Sequence, residues 1–101
     1  MGSGIHKTTI KNIAKILEVL RKHDTIHLRG ICKVLDLNPF IVSNIVNKYL
    51  DYFIDIQDID QFGFRVKLIS LKRDKMETAV EDVLNYIEIK RKIRKIAKSA
   101  H

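Results

Sequence analysis

Two stretches with helical hydrophobic spacing, residues 28–35 and 38–50, meet across a gap of only Asp36, Leu37 and Asn38. So short a gap obliges the chain to turn one helix directly against the next. In the first stretch Leu28, Ile31, Cys32 and Leu35 fall on one side. Gly30 interrupts it at a cost of about 1 kcal/mol against alanine, so packing must hold this helix. Asp36 tolerates the left-handed backbone of a tight turn, and Leu37 plugs the corner. Asn38 accepts a hydrogen bond from the free amides of the next helix, and Pro39 suits its first position, where no donor is needed.

The second stretch buries Val42, Ile45, Val46 and Tyr49 at three- and four-residue steps, leaving Phe40, Ser43, Asn44, Asn47 and Lys48 on other sides. That outer face is polar but not acidic. Hydroxyl, amide and ammonium groups suit base edges and phosphates, the two contacts made by a helix lying in the DNA major groove. Residues 38–50 therefore read as a recognition helix. Asn44 and Asn47 are expected to pair with adenine edges, and Phe40 either meets a thymine methyl or covers the turn. Ser43 and Lys48 are expected at phosphates, and so is Arg29, against the alternative of ordinary surface charge.

A chain of 101 residues with 46% hydrophobic composition is about one domain with a modest core. Nineteen Lys and Arg against twelve Asp and Glu give a net charge of +7, which favours a polyanionic partner. RNA, DNA and acidic proteins all satisfy that charge. No apolar run is long enough to span a bilayer, and the first ten residues lack the apolar centre of a signal peptide, so a cytoplasmic protein is expected. Cys32 is the only cysteine, which excludes an internal disulfide and a cysteine-based zinc site. It is expected to be a buried thiol on an apolar helix face. His6, His23, His27 and His101 match no metal-ligand or catalytic spacing, and the glycines are too scattered for a phosphate loop. No enzyme activity, metal or cofactor is expected.

Taken in order, residues 1–7 are set aside as a flexible start. A first helix follows, capped by Thr8 or Thr9, with Ile10, Ile13, Ala14, Leu17 and Leu20 as its apolar stripe and an end near His23 and Asp24. Residues 25–27 lean towards a short strand. After Leu50 the period changes from about 3.6 to 2, giving one strand from Phe53 or Ile54 to Gln57 and another from Phe64 to Leu71. Residues 58–63 are expected to connect them as a mobile loop longer than a two-residue turn. Asp74 and Glu77 have capping-box spacing, from which a long helix is expected to run almost to the end. The fold class is thus mainly α with a small β-hairpin.

This order of helix, short strand, helix, turn, helix and hairpin resembles the winged helix-turn-helix family of DNA-binding proteins across residues 8–71. Residues 31–38 followed by Val42, Ser43, Asn44, Ile45 and Val46 look like its helix-turn-helix core, with Cys32 where the family prefers a small residue and Asp36 where it often has glycine. Residues 67–71 are similar to a second wing strand leading into a C-terminal helix. Small archaeal dimeric regulators with a long C-terminal helix look closest. The resemblance implies DNA contacts from the wing, a role carried over to Arg65 and Lys67. The chain departs from the family at Lys72, where a capping threonine is common, and in the acids Asp55, Asp58 and Asp60 of the wing.

Residues 72–101 are expected to form a coiled-coil dimerisation segment whose helix, from Asp74 to Ala100, extends about 40 Å at 1.5 Å per residue, too long for one small domain to cover. Its expected seam is Ala79, Val80, Val83, Tyr86, Ile87, Ile93, Ala97 and Ala100. Acids occupy its first part and only bases follow Glu88, so antiparallel pairing about a two-fold axis near Ile87 is favoured. The alternative is a solvated basic tail that contacts nucleic acid. The function expected is a dimeric, sequence-specific binder of double-stranded DNA that regulates transcription. A sequence-tolerant architectural DNA-binding protein and a winged-helix protein-interaction module are the alternatives, because fold alone does not decide function.

Overall fold

The computed structural model describes residues 5–61 and 63–99, without the side chains of residues 61 and 97–99. Helix α1 (Lys7–Lys22) is followed by strand β1 (Ile26–His27), helix α2 (Leu28–Leu35) and helix α3 (Pro39–Lys48). Strands β2 (Ile54–Gln61) and β3 (Phe64–Leu71) form the hairpin, and a 3-10 turn (Arg73–Lys75) leads to helix α4 (Val80–Ser99). The three strands make one antiparallel sheet in the order β1-β3-β2.

Helix α1 packs against α2, α3, α4 and β3, and this central position widens its buried face. Ile13, Ile16, Leu17, Val19 and Leu20 are all buried, whereas Ile10 and Ala14 of the expected stripe are only half-buried. The helix also starts earlier than expected. His6 precedes it in extended backbone without a side-chain cap, so Thr8 and Thr9 lie inside its first turn.

The turn between α2 and α3 follows the sequence chemistry closely. Asp36 is left-handed at φ 53°, Leu37 packs against the core, and Asn38 Oδ1 accepts the Phe40 amide at 2.7 Å. Cys32 is buried beside Ile31 in the common core. Gly30 has a reason that its helix propensity does not reveal: a Cβ there would lie 2.9 Å from Ile26 Cγ1. Gly30→Ala is therefore expected to lower the urea midpoint, because strain of about 1–3 kcal/mol outweighs a propensity gain of about 1 kcal/mol. A raised midpoint would show that Ile26 moves aside freely.

The hairpin corrects the expected loop over residues 58–63. Strand β2 continues to Gln61, which pairs with Phe64, leaving residues 62–63 as the connection, with Gly63 at φ 79°. Aspartate is a poor strand former, which is why the strand pattern in the sequence stops at Gln57. Here Asp58 stands opposite Lys67 and Asp60 opposite Arg65, and opposite charges across a ladder stabilise it by about 0.2–1 kcal/mol per pair.

The expected capping box at Asp74 is also corrected. Asp74 lies in the 3-10 turn, and α4 begins at Val80, where Asp82 Oδ2 accepts the Ala79 amide at 2.9 Å. Arg21 of α1 donates to the Thr78 carbonyl at 2.6 Å, and Thr78 Oγ1 donates to the Lys75 carbonyl at 2.6 Å, so this link is tied down. With 20 residues, α4 is about 30 Å long rather than 40 Å.

The two halves of α4 have different surroundings. In the first half Val83 and Ile87 enter the common core, and Val80 packs against it. Tyr86 stacks on Tyr52 at a centroid distance of 4.7 Å and meets Phe53 edge-on at 5.5 Å, while Lys90 pairs with Asp51 at 3.9 Å. Beyond this anchor Ile89, Ile93 and Ile96 are 55%, 59% and 69% exposed. Of the expected seam, Ala79 is half-buried before the helix, while Ala100 and the side chain of Ala97 lie outside the described residues.

Candidate nucleic-acid interface

Because Val42, Ile45 and Val46 hold α3 against the core, the opposite side of the helix is presented outward. Phe40, Asn44, Asn47 and Lys48 are exposed, Phe40 at 81%, and Ser43 is half-buried. No acid occurs between Asp36 and Asp51. The side chain of Asn44 makes no hydrogen bond among the described residues. Asn47 Nδ2 donates to Ser43 Oγ at 3.2 Å, one turn away. That bond uses one of two amide donors, so Asn47 keeps a donor and its carbonyl, the pair that an adenine edge requires. Ser43 accepts in the same bond and keeps its hydroxyl hydrogen for a phosphate oxygen.

A second feature lies between the start of α2 and the wing. Arg29, Arg65 and Lys67 line one open cleft of about 740 Å³, together with His27, Leu28, Asp58, Phe64 and Val66. The cations lie far apart in sequence and meet because His27 pairs with Leu68, which sets the first turn of α2 beside β3. Asp58 is the one acid in the lining. Sequence reasoning assigned these cations separately and missed their convergence. The signal was the β-leaning run at Ile26 and His27, whose register against β3 depends on the tertiary fold.

Sequence reasoning also missed Ile89 and Ile96 as an exposed stripe with Ile93, since it read α4 without knowing which face the core would take. Among the described residues no group of three or more His, Cys, Asp or Glu is placed to hold a metal ion. No helix among them is long and apolar enough to cross a membrane.

Helix, turn and outward helix, backed by α1 and flanked by a three-stranded wing, make this a winged helix-turn-helix fold. No protein-family model matches the sequence, and no curated protein does. Solved structures do share the fold. A mutant form of MarR from E. coli aligns with a TM-score of 0.56 and 13% identity over 95% of this chain and 66% of MarR, so the chain spans slightly under two thirds of that protein's length. The disulfide-formed AbfR aligns with a TM-score of 0.57 and 15% identity over 96% of this chain and 70% of AbfR. MepR of S. aureus, solved in complex with DNA, aligns with a TM-score of 0.52 and 23% identity over 96% of this chain and 82% of MepR.

Proposed function

We propose that the protein is a dimeric, sequence-specific DNA-binding protein that regulates transcription, with α3 in the major groove. The observation that carries this reading is the outward face of α3, where Asn44 and Asn47 keep free donors and acceptors and no acid intervenes. Base reading falls to Asn44 and Asn47, with Phe40 against a thymine methyl. Ser43 and Lys48 serve phosphates beside the helix, and Arg29, Arg65 and Lys67 serve the backbone that enters the cleft. MepR, which shares the fold, was solved with DNA, and this supports the choice of partner.

The dimer forms through the exposed half of α4. Ile89, Ile93 and Ile96 recur at four- and three-residue steps, and a contiguous apolar stripe of this kind is an interaction surface. Two recognition helices held by one two-fold axis would address half-sites about 34–36 Å apart.

The test is a footprint on DNA of the source organism. A discrete protected site supports the regulator, continuous protection would replace it with an architectural coater, and no protection at low salt would remove DNA from the reading. Within the wing, Asp58→Ala and Asp60→Ala are expected to leave DNA affinity unchanged or to raise it. Each removes a negative charge opposite a cation that the proposal places at phosphate. A clear loss in a fluorescence anisotropy titration, with the fold intact, would mean that an acidic side chain makes a required contact.

A further inference from the structure

Strand β1 supplies only Ile26 and His27, which cover Ile69 and Leu68 of β3. Phe64, Arg65, Val66 and Lys67 pair with β2 on one side and, among the described residues, have no strand on the other. Alternate residues of that segment turn an amide and a carbonyl towards the open side, and an unpaired edge is a template for another strand. The cleft lies along this edge. Its lining shows this, because Phe64 and Val66 belong to one face of β3 and Arg65 and Lys67 to the other. His27, Leu28 and Arg29 form the facing wall where the chain turns away into α2.

We propose that this edge docks an extended peptide of alternating acidic and apolar residues, which adds to the sheet beside β3. The proposal goes beyond DNA binding and does not depend on it, and the peptide competes with the phosphate backbone for Arg29, Arg65 and Lys67. A strand laid along β3 sends alternate side chains to opposite faces, so its acids would meet Arg65 and Lys67, with Arg29 across the cleft, and its apolar residues would meet Phe64 and Val66. Phe64 is 72% exposed. Asp58 is the single opposing charge in the lining. A second copy of the same edge is disfavoured, because it would bring Arg65 and Lys67 against their own counterparts, the arrangement that natural edges use against self-pairing. A phosphate backbone would use the cations but neither the open amides nor the apolar positions.

The experiment titrates isotope-labelled full-length protein with acetyl-Glu-Val-Glu-Val-Glu-amide, without DNA, and follows the amides of residues 64–67 by NMR and hydrogen exchange. A block isomer, acetyl-Glu-Glu-Glu-Val-Val-amide, has the same composition and charge. The alternating peptide is expected to bind at least tenfold more tightly than the block isomer and to slow exchange of alternate amides in residues 64–67. The double variant Arg65→Gln, Lys67→Gln, which adds no acid opposite Asp58 and Asp60, is expected to bind it at least tenfold more weakly while remaining folded, its melting temperature lowered only by the loss of the two cross-strand charge pairs. Equal affinity for both peptides would reduce the cleft to a charge patch and overturn the proposal, as would perturbations confined to other residues. Protection of the same amides by a short oligothymidylate, and not by the peptide, would assign the edge to nucleic acid and overturn it equally.

Discussion

Replacing Asn44 and Asn47 together by alanine is expected to cost about 2–6 kcal/mol of discrimination between the cognate and a random duplex, at about 1–3 kcal/mol per bidentate base contact. Both side chains are exposed, and the one side-chain bond lost among the described residues is the exposed one from Asn47 to Ser43, so the melting temperature should hardly move. The loss should appear as relaxed specificity. Lys48→Ala should instead weaken every duplex alike and flatten the salt dependence by about one phosphate contact. Competition binding at fixed salt separates the two patterns. A double variant that keeps full sequence preference would mean that α3 does not read bases, whatever else it touches.

Helix α3 was legible because local chemistry sets it: Asn38 caps it, Pro39 opens it, and three apolar residues fix its buried side. For the same reason the sequence bounds of α2 and β3 coincide with the structure, as does the left-handed backbone of Asp36. The failures share a different cause. The end of β2 depends on Arg65 and Lys67 lying opposite Asp60 and Asp58, a non-local pairing that strand propensity at Asp does not reveal. The start of α4 depends on Arg21 holding the Thr78 carbonyl from another helix, which no local capping pattern contains. The cleft depends on the pairing of β1 and β2 with β3, since neither its wall at α2 nor its floor at β3 is defined until the sheet closes.

Disrupting the exposed half of α4 is expected to convert the protein from dimer to monomer. The sequence placed the two-fold axis near Ile87, but Ile87 is 8% exposed and belongs to its own chain's core. The proposed axis therefore moves to Ile89, on the outward side of the same helix. Antiparallel crossing there sets Lys90 level with the partner's Glu88 and the basic residues beyond it along the partner's acidic first half, where Glu81 and Asp82 lie. Parallel pairing would stack Arg91, Lys92 and Arg94 on their own counterparts, and the repulsion disfavours it. In Ile89→Ser, Ile93→Ser each helix loses two isoleucines, each contributing about 1.5–3 kcal/mol when fully buried, so association should weaken by several powers of ten at about 1.4 kcal/mol per tenfold. Sedimentation at micromolar concentration should show a dimer for the parent and a monomer for the variant, with the α1 core unaffected. Orientation follows from single cysteines in a Cys32→Ala background. Ile89→Cys is expected to form disulfide dimers, and Ile96→Cys is not, because antiparallel helices crossing at Ile89 hold those positions about 20 Å apart at 1.5 Å per residue. Efficient cross-linking at Ile96 would show parallel helices, and a monomeric parent would leave the isoleucine stripe without a second copy to cover it.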